Sequence, residues 1–428
     1  MKLLRHIHLL VFTLLFVLQA EGQTKVDSVS SKHRFIHRPE LLIRGGYIIP
    51  THENLKGASI NLQQPGSNVK QFNPIRSVTS FHLRYAFELL PGTSAARAFI
   101  NAYQGIGLGY FYFPQGNQQL VAQDKTHHFS LGHPIALYLF QGGRLARLNH
   151  NLSLHYEWQF GMSFGWKGYH KKENEYNKML GGSINAYLHA GVNMQYRLTP
   201  NILLKAGINA SHFSNANTNN PNAGLNMTEG EVGVIYQINP EKSEKENTLA
   251  ALPAFHRHIS YDLLCFGGWR EKPLIVNNKK KIAPGKYGVA GISFAPMYNL
   301  GYKYRVGLAV DAIYDHSSGI TGEQLTEDHN GATPEYAYYI PNTFQQMALG
   351  LSLRGELVMP FFTICAGIGA NVLHGNNDLK GLYQLLALKI ALSKSSYLNI
   401  GYSLRNFHEP NHLMLGIGYR FNNRRTKL

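Results

Sequence analysis

Apolar and polar residues alternate with period two along most of this chain, the pattern of strands with one polar and one apolar face. Residues 40–50, 78–89, 102–113, 127–140, 152–166, 183–198, 202–214 and 231–238 carry it. A charged, aperiodic run from Asn239 to Asn247 breaks the series and reads as a linker. Strands resume at 259–269, 287–298, 302–314, 344–358, 361–372, 382–392, 397–405 and 412–421. Both blocks close on similar endings, Val234-Ile235-Tyr236-Gln237-Ile238 and Ile417-Gly418-Tyr419-Arg420-Phe421. Most runs are ~10–14 residues long, longer than ordinary sandwich strands and suited to tilted barrel staves. The expected fold is all-β and antiparallel. It comprises two consecutive eight-stranded barrels over 34–238 and 256–428, joined by a linker at 239–255. A single barrel of about sixteen strands is the alternative, and the charged linker weighs against it.

The amino terminus sets the compartment. Lys2 and Arg5 precede an apolar run at 9–18, with small residues at Ala20 and Gly22, so 1–22 reads as a cleaved secretory signal. A membrane anchor is the alternative. After Lys25 no apolar stretch reaches ~18 residues without a charge or breaker, which argues against helical membrane spans. Glycine (42), tyrosine (25) and phenylalanine (22) are abundant and only 15% of residues are charged, as suits a chain of strands in an outer membrane. The two cysteines, Cys265 and Cys365, sit in strand-like runs and read as packed thiols, with a single bridge left open. The formal net charge of +16 points to an anionic partner. For an exported chain a phosphorylated lipid surface fits better than nucleic acid, and simple solubility charge is the alternative.

Loop lengths orient the first block. In outer-membrane barrels the periplasmic turns are short and the outer loops long. Thr199-Pro200-Asn201 is a tight turn between the sixth and seventh strands, so the seventh runs outward and ends near His212 and Ser214. The preceding outer loop, 167–180, carries Lys171, Lys172 and Lys178 among headgroups or simply in solvent.

The seventh strand has a definite phase. Ile202, Leu204, Ala206, Ile208 and Ala210 form its apolar row; Asn201, Lys205, Gly207, Asn209 and Ser211 form the other. His212 and Ser214 fall on the apolar, lipid-facing row. Two residues apart on a strand, they share a face, where a histidine can take the proton of an attacking serine hydroxyl. The spacing alone says little, since His128-Phe129-Ser130 and His316-Ser317-Ser318 repeat it.

The context separates the copies. His212-Phe213-Ser214-Asn215 is followed by Pro221-Asn222-Ala223-Gly224, which resembles the hallmark of the lipid A 3-O-deacylase (acyloxyacyl hydrolase) family. The motif covers about fifteen residues; the barrel resemblance spans roughly 34–238. It implies an eight-stranded outer-membrane barrel that removes an ester-linked hydroxyacyl chain from the lipid A of lipopolysaccharide, without a cofactor. It further implies Ser214 as nucleophile, His212 as base and Asn215 as oxyanion donor. Where the family places a carboxylate, fourteen residues after the histidine, this chain has Asn226. Glu229 and Glu231 lie nearby on the row expected to face inward. An amide oxygen can still orient an imidazole but stabilises its cation less, so weaker activity is expected.

The second block offers a comparison. Aligning Gly401 with Gly207 sets Asn406 against His212 and His408 against Ser214, so the second block lacks the nucleophile. Its expected role is structural, or to position a substrate or partner. Trp269, Tyr298, Tyr302 and Tyr304 suit an interfacial aromatic belt or barrel packing. His127, His128 and His133 cluster without nearby carboxylates, which argues against a metal site. Two other functions stay open: a non-catalytic barrel that binds lipopolysaccharide or acts as a scaffold, and a small porin.

Overall fold

A computed structural model describes residues 35–60, 70–89, 102–122, 125–238, 252–326, 335–407 and 409–424, with isolated positions between 94 and 99. The expected signal at 1–22 and most of the expected linker lie outside the described residues. The first barrel comprises β1 (Phe35–Ile49), β2 (Ser77–Leu89), β3 (Tyr103–Tyr112), β4 (Gly132–Arg147), β5 (Leu152–Trp166), β6 (Ile184–Arg197), β7 (Ile202–Ser214) and β8 (Leu225–Tyr236). Sequence neighbours pair antiparallel, and β8 closes on β1 with Ile49 opposite Asn226. The second barrel comprises β9 (His258–Arg270), β10 (Tyr287–Asn299), β11 (Tyr304–Asp315), β12 (Met347–Val358), β13 (Phe362–His374), β14 (Leu382–Ala391), β15 (Ser396–Arg405) and β16 (Glu409–Phe421). There β16 closes on β9. Two closed barrels of eight exclude the sixteen-strand alternative.

The period-two pattern becomes two chemically opposite surfaces. Outward rows are apolar and bare: Leu83, Ile208, Val232, Leu308 and Ile417 are all at least 60% exposed. Rows this large and continuous belong in lipid. Inward rows carry charge. In the first lumen Arg84 meets Glu157 (2.5 Å) and Glu40 (2.7 Å), and Arg44 meets Glu231 (2.9 Å). Lys205 bridges Glu157 (2.8 Å) and Glu231 (2.9 Å). The second lumen is similar: Lys389 joins Asp262 (2.9 Å) to Glu356 (2.5 Å), and Arg354 binds Asp311 (2.5 Å). Removing one member of such a buried pair strands its partner, at a cost of about 3–5 kcal/mol. Register is therefore locked, because a one-residue slip would carry these charges into the membrane. The filled lumens also close the porin reading.

The two ends differ. Short turns at 148–151 and 198–201, and at 300–303, 359–361 and 392–395, lie at one end. Longer connections at 50–76, 113–131, 167–183 and 215–224, and at 271–286, 316–346 and 375–381, lie at the other, which is the outer end of a membrane barrel. Tyr298 and Tyr304, both exposed, flank the 300–303 turn, and Trp269 is exposed at the long-loop end.

Several segments differ from the sequence pattern. Residues Lys125–Ser130 pair with Asn117–Ala122 in a hairpin above the barrel, and β4 begins only at Gly132, whose φ of +82° breaks the strand before it. Strand β8 starts at Leu225, not 231, because Leu225 and Met227 fill the upper lumen and extend the ladder to Phe213. Residues Thr343–Gln346 form a 3-10 turn capped by Asn342 ahead of β12. Both thiols are free, and Cys265 is not packed: its place in the row of Tyr261 and Leu263 turns it outward, while Cys365 is buried.

Candidate active site

The site begins with Phe213, which no pattern singled out. Its ring is fully buried in the upper lumen, with centroids 4.8 Å from Trp166, 5.0 Å from Tyr187 and 5.1 Å from Phe111. Two residues earlier Ser211 donates to Glu229 (2.5 Å), and further down Lys205 holds its two carboxylates. Three anchored inward positions fix the phase of β7, so His212 and Ser214 emerge on the lipid-facing wall at the outer rim. Glu229 and Glu231 are spent inside on Ser211, Arg44 and Lys205.

Across the ladder His212 stands opposite Asn226. Nδ1 of His212 and Oδ1 of Asn226 are 2.5 Å apart. An amide oxygen only accepts, so Nδ1 carries the proton and Nε2 is the lone-pair nitrogen. Gly224 makes room for the ring: a Cβ there would lie 2.9 Å from Cε1, and its φ is +73°. Its carbonyl accepts from Thr51 Oγ1 (2.7 Å).

Ser214 is held by the loop that follows it. The Ala216 amide donates to Oγ (3.2 Å), and Asn222 Nδ2 reaches it at 3.1 Å. The other end of the Asn222 amide, Oδ1, accepts the Asn215 N–H (3.1 Å) and the Ser214 hydroxyl (3.4 Å). Asn215 Nδ2 is buried with no partner. Asn222 lay within the recognised motif, yet its contact with Ser214 depends on the loop folding back, which spacing does not reveal.

Neighbouring loops buttress this one. Ala223 and Gly224 donate to the carbonyls of Lys178 (3.3 Å) and Met179 (3.0 Å). The second barrel contributes as well: the Glu271 N–H donates to Asn217 O (2.9 Å), and the Glu271 carboxylate accepts the Asn220 N–H (2.6 Å). Lys286 Nζ donates to Asn219 Oδ1 (3.1 Å). On the wall below, an open groove of about 680 Å³ is lined mostly by small or apolar residues, among them Gly45, Ala190, Val192, Ile208 and Gly230, with Asn209 and Glu229 also in its lining.

The other His-x-Ser copies lack this setting. Ser130 donates to Asn117 in the upper hairpin; Ser318 is held by the Asn376 amide in a buried turn (3.1 and 2.9 Å), and its His316 meets Tyr314 (2.9 Å) and Gln346 (3.3 Å) instead of a cross-strand amide. His127 lies 2.9 Å from Glu175, a carboxylate that the sequence pattern did not bring near it. Among the described residues no group of three or more potential metal ligands forms. In the second barrel β15 ends at Arg405, and Asn406 and Phe407 turn with φ of +50° and +66°. His408 lies outside the described residues.

Apolar outward rows and filled polar lumens define an outer-membrane β-barrel protein, and a polar constellation around His212 and Ser214 lies on its lipid-facing rim. The family model of lipid A 3-O-deacylase (PagL) matches residues 142–234, and that of the acyloxyacyl hydrolase C-terminal domain matches 259–423. The chain belongs to the lipid A 3-O-deacylase family; it is an outer-membrane lipid A deacylase, an ester hydrolase. No curated protein matches it. Solved structures similar to it include the siderophore receptor PirA from Pseudomonas aeruginosa (10% identity, 92% of this chain, 82% of that one, TM-score 0.23). The TodX monoaromatic hydrocarbon channel (10%, 92% and 91%, 0.17) and a mutant Rh. blastica porin (7%, 90% and 100%, 0.15) also align. Overlaps this loose carry no weight; the fold rests on the strand pairing above.

Proposed function

We propose that the chain is a serine esterase in which Ser214 attacks the acyl ester of lipid A. The supporting observation is the His212–Asn226 contact at 2.5 Å, which leaves Nε2 as the base on the face that Ser214 shares. His212 Nε2 takes the hydroxyl proton as Ser214 Oγ bonds to the ester carbonyl carbon. The developing oxyanion is met by Asn222 Nδ2, and the unpartnered Nδ2 of Asn215, the residue after the nucleophile, is a second donor for it. The bond to the sugar oxygen breaks, and His212 returns the proton to that oxygen. Water, deprotonated in turn by His212, then attacks the acyl-enzyme and frees the hydroxy fatty acid and Ser214. Asn226 orients the imidazole throughout, and the groove below takes the acyl chain from the bilayer side. The two barrels act as a catalytic module over 34–238 and a supporting module over 256–428.

The mechanism is tested with a fluorophosphonate probe on the detergent-solubilised protein. Labelling that maps to Ser214 and disappears in His212→Ala is expected. A correctly folded protein that shows no labelling, or labelling at another residue, would overturn it.

A further inference from the structure

Between the long-loop ends of the two barrels lies a cavity of about 660 Å³. One wall is the site loop itself, Asn217 and Asn220 to Ala223, so Asn222 faces both this cavity and Ser214. The remaining walls are strongly basic. Lys178 comes from the first barrel, and Arg270, Lys272, Lys280, Lys380 and Arg405 come from the second. Three carboxylates, Asp315, Asp378 and Glu409, also line it. They are already taken: Arg270 meets Asp315 (3.4 Å), Lys272 meets Asp378 (2.6 Å) and Arg405 pairs with Glu409. Lys178, Lys280 and Lys380 form no ion pair with any described residue. The Lys178 ammonium instead lies over the Tyr169 ring, 4.1 Å from its centroid.

Three ammonium groups around one concave space, next to a site for a lipid ester, call for an anion on the same substrate. We infer that this inter-barrel cavity is a subsite for a phosphate group on the lipid A headgroup, and that the second barrel supplies most of it through Lys280 and Lys380. The inference rests on the lipid A reading of the neighbouring site. It gives the second barrel a role without a nucleophile: it anchors the phosphorylated sugar while the acyl ester meets Ser214 from the membrane side. Lysines suit this task because compact ammonium groups contact phosphate oxygens from several directions.

The test is a binding measurement in the full-length Ser214→Ala protein, which separates it from the chemistry at the serine. Affinity is measured for lipid A with its phosphates and for lipid A stripped of them, in the same detergent. Lys280→Gln and Lys380→Gln should each weaken binding of the phosphorylated form by about ten-fold, the effect of one charge-assisted hydrogen bond. Binding of the stripped form should stay the same, and Lys280→Arg should restore most of the loss. Heat-modifiable migration in gels checks that each variant is folded. Equal losses for both lipids, or none for either, would overturn the subsite. Inorganic phosphate should compete only at concentrations far above those of the lipid; tight phosphate binding without discrimination between the lipids would also overturn it. A Ser214→Ala protein that still deacylates would refute the serine mechanism while leaving the lysine-dependent binding to be read independently.

Discussion

His212 and Asn226 are direct cross-strand partners on β7 and β8, and their side chains meet at 2.5 Å. The amide sets the tautomer and angle of the ring but brings no negative charge to the imidazolium formed during attack. Asn226→Glu should therefore raise kcat by about ten-fold, and Asn226→Leu should lower it by about a hundred-fold through loss of orientation. Steady-state deacylation of purified lipid A measures both. A glutamate variant with reduced kcat would show that the amide does more than substitute for an acid.

Asn222 donates to Ser214 Oγ through Nδ2, and its Oδ1 accepts from the Ser214 hydroxyl and the Asn215 N–H. Asn222→Ala should cost about a hundred- to a thousand-fold in kcat with little change in KM, as expected for a donor used mainly in the transition state. A rise in KM at constant kcat would reassign it to substrate binding.

The Glu271 contacts make the second barrel part of the site's scaffold. Glu271→Ala leaves the Asn220 N–H without its acceptor and frees the loop that holds Asn222. Activity should drop by about ten-fold, with both barrels still folded. Limited proteolysis should cut the 215–224 loop faster in the variant. Unchanged proteolysis and activity would make the inter-barrel contact incidental.

Much of this arrangement was legible in the sequence, and the reasons are physical. Strands β5 and β7 alternate cleanly, so their limits and the outward phase of His212 and Ser214 followed from parity. The start of β8 was hidden because Pro221, Asn222 and Gly224 signal a turn and Asn226 and Thr228 dilute the apolar row. Phe213 looked like any buried aromatic; its value lies in three ring contacts from β3, β5 and β6. Glu271 and the lysine cavity join residues more than fifty positions apart across loops, where no periodicity exists to be read.

The lysine cavity has a pH signature. Burial pushes the Lys178 ammonium below its usual 10.5, against the pull of Glu175. Its charge is lost as pH rises through the lowered value, earlier than for an exposed lysine. Burial, with Lys178 and Lys280 nearby, also holds the His52 imidazole below its usual range, so at neutral pH it adds little charge. Affinity for phosphorylated lipid A should therefore decline on the alkaline side before an exposed lysine titrates, at about 10.4. Lys178→Arg should flatten that decline. Affinity that holds constant up to pH 10 in the unmodified protein would contradict this.

The central claim is that Ser214 cleaves an acyl ester of lipid A from the lipid-facing wall. Vesicles containing lipid A are incubated with the inserted protein and with Ser214→Ala, and the lipid is weighed by mass spectrometry. The account predicts a product lighter by one hydroxyacyl chain with the unmodified protein and no change with the variant. An identical loss from both proteins, or no loss from a correctly inserted unmodified protein, would contradict it.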